Sequence, residues 1–269
     1  MRRTLHTTLS GTLTGPTTVY AIVAAAATYT ASQESLLLTL DGRPAEVAQL
    51  AGPHGTRLHR FGAAEPTGGP VEFALSYNAV VDGPAATAPE DPVDLATYLR
   101  PSRYCESDRV GPLVREHFSG PAGEDLVAAV GDWIRDHLSY VAGSTGPSDS
   151  AGDVLRTRRG VCRDYAHVAV TLLRAANVPA RFVSVWAPGL DPMEFHAVAE
   201  AWVDDRWVVL DATDLAPRTA MVRIATGRDA ADTAFLSSYG QGLALDGYSV
   251  RADIDELPAD DHRAPVVLA

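Results

Sequence analysis

The chain carries the stretch RGVCRDYAH at residues 159–167, in which a glycine turn delivers a cysteine to the start of a helix. Apolar residues continue at helical spacing until Asn177-Val178-Pro179, so the pattern predicts a helix from Cys162 to Ala176. Unpaired N–H groups and the positive end of the helix dipole stabilise a thiolate at such a position. The same N–H groups can bind the oxyanion that forms when a thiolate attacks a carbonyl. Cys162 is therefore the candidate nucleophile, and a buried cysteine without chemistry is the alternative.

A second stretch, FHAVAEAWVDDRWVVLD at residues 195–211, has two β-prone runs on either side of Asp204-Asp205. A two-residue turn at these aspartates predicts the cross-strand pairs Val203–Arg206, Trp202–Trp207, Glu200–Val209 and Val198–Asp211. In that register His196 and Asp211 share a face and lie diagonal to one another, within reach of a hydrogen bond between their side chains. A carboxylate so placed orients an imidazole, whose other nitrogen can then serve a nucleophile.

Together the two stretches predict a catalytic set of Cys162, His196 and Asp211, with the nucleophile on a helix and its partners on a hairpin. The alternative is a satisfied core histidine and an aspartate that caps a strand. Metal binding fits less well, because Cys162 and His167, five residues apart on a helix, do not share a face. The sequence also has no compact cluster of His or Cys. It therefore predicts neither a metal site nor a cofactor.

The charge composition narrows the range of partners and chemistries. All 22 basic residues are Arg and none is Lys, so Schiff-base chemistry and a phosphate-binding lysine are excluded. The 34 acidic residues give a formal net charge of −12, and no basic run is longer than Arg158-Arg159. Nucleic acid and anionic membrane are therefore not expected as partners.

The cysteine count and the apolar runs indicate the compartment. Cys105 and Cys162 are too few for a secreted disulfide framework, although one bridge between them stays possible. The longest apolar run, Val19 to Ala27, is about half of what a bilayer span requires. We expect a soluble cytoplasmic protein without a membrane partner.

The chain is long enough for one large domain or two modest ones, and its composition excludes fibrous repeats and wholesale disorder. Short β-compatible runs between turn signals, among them a strand at 36–40 entering a turn at Asp41-Gly42, predict a small β-sandwich over 1–82. A Pro-rich linker with short helices follows over 83–121, then a core over 122–256 and a frayed tail over 257–269.

Within the second half of the chain, helical spacing predicts helices over 110–117, 123–140 and 162–176. Strands are predicted over 180–187, 195–203 and 206–211. Helices that lead into a run of strands are typical of an α+β fold rather than of the alternating pattern of a Rossmann domain.

These residues resemble the transglutaminase-like superfamily. The similarity lies in the Cys162 motif, in His196-Ala197 followed by Glu200 and Trp202, and in Trp207 and Asp211. It extends to the segments 99–108 and 222–232, and it is greatest to a bacterial transglutaminase-like branch that pairs the core with an N-terminal β-domain. Two positions depart from the family: Val198 stands where relatives often carry Trp, and Ala212 replaces a frequent Pro.

The resemblance implies a papain-like α+β core in which Cys162 is the nucleophile, His196 the general base and acid, and Asp211 the residue that orients His196. Members of the family cleave or exchange amide bonds of peptides or proteins through a thioester, so a peptide or protein substrate is expected. Hydrolysis and amine transfer remain equally open. The first oxyanion donor would be the Cys162 N–H. The sequence does not assign the second donor, for which Trp133 and Tyr140 are only weak candidates.

Two other functions stay open from the sequence: a binding or scaffold module that kept the fold without catalysis, and acyl transfer to small amines as in arylamine N-acetyltransferases. The sequence does not indicate the oligomeric state. Several neighbouring residues are interpreted as structural. Glu200 is expected to accept from a tryptophan or arginine, His167 to lie in the core, Cys105 to be inert, and Arg163 and Asp164 to form local ion pairs.

Overall fold

The computed structural model describes residues 1–63, 69–86, 91–240 and 242–268. Its strands are β1 (Arg2–Leu13), β2 (Thr17–Ala21), β3 (Ala31–Leu40), β4 (Arg43–Ala45), β5 (Ala48–Ala51), β6 (Arg57–Ala63), β7 (Val71–Asp82), β8 (Ser139–Tyr140), β9 (Arg159–Gly160), β10 (Ala180–Trp186), β11 (His196–Val203), β12 (Arg206–Leu210), β13 (Val222–Gly227), β14 (Leu236–Gly240) and β15 (Leu243–Ile254). Its helices are α1 (Pro92–Thr97), α2 (Gly111–His117), α3 (Gly123–His137), α4 (Ala151–Thr157), α5 (Cys162–Ala175) and α6 (Ala230–Thr233).

The N-terminal strands form two facing sheets, as the predicted sandwich requires. One sheet has the order β15-β1-β7-β3-β4 and the other β14-β2-β6-β5. Strand β7 alternates buried and solvent-facing residues along its length, and side chains such as Leu9, Phe61 and Leu75 fill one core between the sheets. Asp41 and Gly42 both have positive φ, as a two-residue hairpin turn requires.

The second unit is a helix layer on a four-stranded antiparallel sheet of order β12-β11-β10-β13. Helix α5 is buried along most of its length, and its apolar side chains share a core with α3, α4 and one face of β11. Trp186, Val222 and Ile224 of this sheet are buried in the core of the sandwich. The two units therefore share an apolar interface.

The strand pairing corrects the predicted boundary at residue 256. Strand β15 pairs with β1 from Arg3 to Leu13, and β14 pairs with β2, so β14 and β15 complete the two sheets of the sandwich rather than the core. The sequence could not predict these strand pairs, because the paired strands lie more than 200 residues apart and the pattern of a strand does not identify the strand it pairs with.

The predicted frayed tail is also wrong. The Val209 N–H donates to the Val266 carbonyl at 2.7 Å, and Leu268 is buried against the sheet. Arg218, itself buried, donates to both carboxylate oxygens of Asp260 at 2.9 Å. These contacts fix the described part of the tail on the edge of β12.

The helix predictions hold with changes at the ends. The second predicted helix ends at His137 rather than 140, because Leu138 turns to extended backbone and leads into β8. Helices α1 and α4 were not predicted as separate elements, since each is only one or two turns long. Part of the predicted linker, residues 87–90, lies outside the described residues. No helix among the described residues is long and apolar enough to cross a membrane.

Candidate active site

Cys162 is the first residue of α5 and is partly exposed to solvent. The turn before it needs a glycine, because a Cβ on Gly160 would lie 2.7 Å from the Cβ of Asp164. Asp164 is fully buried and accepts a hydrogen bond from the Val161 N–H at 2.9 Å. The expected ion pair is present, since Arg163 donates to Asp164 at 2.8 Å. These contacts fix the start of the helix that presents the thiol.

The hairpin that carries His196 has the predicted register. The pairs Val203–Arg206, Trp202–Trp207 and Glu200–Val209 are all present, and Asp204 and Asp205 both have positive φ, as a tight turn requires. The fourth predicted pair, Val198–Asp211, is not formed, because β12 ends at Leu210. Asp211 therefore lies just beyond the strand.

His196 and Asp211 are joined by a hydrogen bond of 2.8 Å between Nε2 and Oδ2, and both side chains are buried. The other carboxylate oxygen of Asp211 accepts from the Thr213 N–H at 2.9 Å and from the Thr213 hydroxyl at 2.7 Å. Burial raises the pKa of Asp211, but the interactions with His196 and Thr213 outweigh it and hold that pKa below its ordinary value. The carboxylate is therefore ionised and has a fixed orientation.

The imidazole of His196 lies between Asp211 and Cys162. Burial lowers the pKa of His196, but the Asp211 carboxylate and the Cys162 side chain outweigh it and raise that pKa to about 10. The Nδ1 atom is buried and makes no hydrogen bond of normal geometry, so it is the ring nitrogen left for the sulfur. Both the Asp211 carboxylate and the Cys162 sulfur therefore favour the protonated form of this ring.

Tyr140 is on β8, where it pairs with Gly160 of β9, and it lies next to Cys162. Burial and the Cys162 thiol raise the pKa of Tyr140 to about 12, while the backbone N–H of Cys162 lowers it. The phenol hydroxyl therefore faces both the sulfur and the first N–H of α5. The other candidate, Trp133, is buried, its indole N–H has no partner among the described residues, and its ring stacks on His137 at 4.2 Å.

The residues interpreted as structural occupy the core. Glu200 is fully buried and accepts from Arg181 and Arg223, both at 2.7 Å. The Nε2 atom of His167 accepts from the Ala230 N–H at 3.1 Å, and burial lowers the pKa of His167 to about 4. Burial raises the pKa of the Cys105 thiol to about 12.

Both cysteines are free, so the disulfide that the sequence left possible is not formed. Among the described residues, no three His, Cys, Asp or Glu side chains are arranged to hold a metal ion. Thr213 was not among the predicted site residues, although a threonine two residues after an aspartate is a common turn signal in which backbone and hydroxyl donate to the carboxylate.

Comparison with known proteins places the chain in a family. The model of the Transglutaminase-like superfamily matches residues 116–212, which include Cys162, His196 and Asp211. The crystal structure of a "putative cysteine protease" from Cytophaga hutchinsonii is 34% identical and has a TM-score of 0.87, over 98% of this chain and 95% of that one. The chain therefore belongs to the transglutaminase-like superfamily, and its fold is the predicted α+β core with an N-terminal β-domain.

Two mycobacterial relatives match this chain over part of their length. An uncharacterized protein of Mycobacterium leprae is 29% identical over 168 residues, which cover 59% of this chain and 60% of its own length. An uncharacterized protein of Mycobacterium bovis is 30% identical over 193 residues, covering 66% of this chain and 55% of its own length. The chain thus matches little more than half the length of these two relatives.

Proposed function

We propose that the chain is a cysteine-dependent enzyme that attacks amide bonds of peptides or proteins and passes the acyl group through a thioester on Cys162. The observation that carries the proposal is the 2.8 Å hydrogen bond between Asp211 and His196, combined with the effect of Cys162 on the same imidazole. Packing alone requires none of these three residue types at these positions. Their arrangement suits a nucleophile, its acid–base partner and an orienting carboxylate.

In the first half-reaction, the Cys162 sulfur bonds to the amide carbonyl carbon and the carbonyl oxygen becomes an oxyanion. The oxyanion is held by the backbone N–H of Cys162, and the neighbouring phenol of Tyr140 supplies the second donor. When the C–N bond breaks, His196 gives its proton to the leaving nitrogen, which departs as ammonia or an amine. The acyl group stays on the sulfur as a thioester.

In the second half-reaction, His196 is neutral and takes a proton from water or from an amine as that group attacks the thioester. The C–S bond breaks, and the Cys162 thiolate and the His196 cation are restored. Attack by water gives hydrolysis, and attack by an amine gives a new amide. Asp211 holds the ring orientation throughout and stabilises the imidazolium.

The test uses casein as a mixed protein substrate, with and without an added primary amine. Ammonia release, new α-amino groups and incorporated amine are measured for the wild type, Cys162→Ala and the control Cys105→Ala, which removes the buried thiol. We expect at least one of these products with the wild type and with Cys105→Ala, and none with Cys162→Ala. Product formation that survives Cys162→Ala would contradict the proposal, as would a wild type that forms none of the three products.

A further inference from the structure

The rim of the active site beside His196 is built from both structural units. Glu194 is exposed and lies two residues before His196 in the chain. Tyr248 of β15, a strand of the sandwich, donates its hydroxyl proton to Oε2 of Glu194 at 3.1 Å. The other carboxylate oxygen accepts from the Phe195 N–H at 3.3 Å. A carboxylate next to the catalytic histidine is therefore oriented by a residue from the other unit.

An aromatic stack fixes this pair in place. The ring of Tyr248 packs on Phe235 with a centroid distance of 5.3 Å, and Phe235 stacks on Phe195 at 5.2 Å. Phe195 in turn packs edge-on against the buried Trp186 at 5.3 Å. Aromatic contacts of this kind stabilise a defined ring orientation. Tyr248 nevertheless keeps 44% of its surface exposed, so part of its ring remains open to a ligand.

Glu194 has no cationic partner in the part of the chain that the structure describes. Among the ion pairs of the described residues, none involves Glu194. The pKa of Tyr248 is raised, first by burial, then by Glu194, and also by Cys162, so its hydroxyl is within electrostatic reach of the nucleophile. An exposed carboxylate and an exposed aromatic ring thus lie together at the edge of the reacting centre.

We propose that Glu194 and Tyr248 form a binding subsite for a cationic side chain, Arg or Lys, that neighbours the reacting amide in the substrate. The inference rests on the proposed function for its biological meaning. A carboxylate pairs with an ammonium or guanidinium, and a tyrosine ring adds a cation–π contact. The subsite also assigns the sandwich a role in substrate selection, because it contributes Tyr248.

The test compares how fast charged reagents modify Cys162. The cationic reagent is 2-(trimethylammonium)ethyl methanethiosulfonate, and the anionic reagent is 2-sulfonatoethyl methanethiosulfonate. Second-order rate constants at low salt give a cation-to-anion ratio for the wild type, Glu194→Gln, Tyr248→Leu and the control Glu46→Gln. Glu46 follows β4, at the edge of the sheet opposite β15, so its substitution removes the same charge about four strand spacings, roughly 19 Å, from Tyr248.

We expect Glu194→Gln to lower the ratio about 3- to 10-fold and Tyr248→Leu to lower it about 2-fold, while Glu46→Gln leaves it within error. An unchanged ratio in Glu194→Gln, or an equal fall in Glu46→Gln, would overturn the subsite. The ratio is defined even if Cys162 reacts slowly with both reagents. A slow thiol would count against the proposed function, whereas the ratio alone decides the subsite.

A matched pair of peptides tests the side-chain class. In Cys162→Ala protein, an acetylated Gln-Arg amide should bind about 3- to 10-fold more tightly than the same peptide with neutral citrulline in place of Arg. The preference should disappear when Glu194→Gln is added. Equal affinity for the two peptides, or a preference that survives Glu194→Gln, would contradict the assignment.

Discussion

At the scale of single residues, the site depends on groups that do not react. Gly160 leaves room for Asp164, Asp164 fixes the first turn of the helix, and Thr213 holds the carboxylate that orients His196. Each of these contacts is short-range in sequence. The geometry of the site therefore depends on a glycine two residues before the cysteine and on a threonine two residues after the aspartate.

The role of Thr213 can be tested by removing its hydroxyl. In Thr213→Val the backbone N–H still donates to Asp211, but one charge-assisted hydrogen bond is lost, which is typically worth about 1.5–3 kcal/mol. We expect iodoacetamide to alkylate Cys162 about 3- to 10-fold more slowly, and Thr213→Ser to restore the rate. An unchanged rate in Thr213→Val would show that the hydroxyl does not position Asp211.

At the scale of secondary-structure elements, the sequence predicted what local rules determine. The hairpin register followed from a two-residue turn at Asp204-Asp205, and the helix start followed from Gly160 and Cys162. Together these two elements bring Cys162, His196 and Asp211 close to one another. The end of β12 was predicted one residue too late, at Asp211 instead of Leu210, although aspartate is uncommon within strands.

The core sheet also contains a buried charge network that can be tested. Glu200 of β11 pairs with both Arg181 of β10 and Arg223 of β13, so Glu200→Gln would leave two buried guanidinium groups without the carboxylate that they share. We expect the free energy of unfolding at pH 7 to fall by about 3–5 kcal/mol. Urea unfolding measures the change. The control variant is Glu124→Gln, which removes the carboxylate of an exposed ion pair with Arg206.

The same network predicts a dependence on pH. Burial raises the pKa of Glu200, but Arg181 and Arg223 outweigh it and lower that pKa to about 2. Because the folded-state pKa lies below the unfolded value of 4.5, the stabilisation is present above pH 4.5 and is lost as the pH falls through 2. The stability difference between wild type and Glu200→Gln should therefore narrow between these values. A difference that stays constant over this range would contradict the assignment.

At the scale of the whole molecule, the chain closes on itself. The sandwich begins at the N-terminus, and its two sheets are completed by β14 and β15, which follow the core along the chain. This arrangement could not be predicted from the sequence, because local periodicity does not identify which distant strands pair. It has a functional consequence, since β15 carries Tyr248 to the rim of the site.

The central claim is that Cys162 and His196 form an activated pair. The most direct measurement is the pH dependence of iodoacetamide alkylation at each cysteine, read by peptide mass spectrometry in the wild type and in His196→Ala, with the buried Cys105 as internal reference. We expect rapid labelling of Cys162 below pH 7 that is lost in His196→Ala. Labelling of Cys162 that is no faster than that of Cys105 and indifferent to the substitution would contradict it.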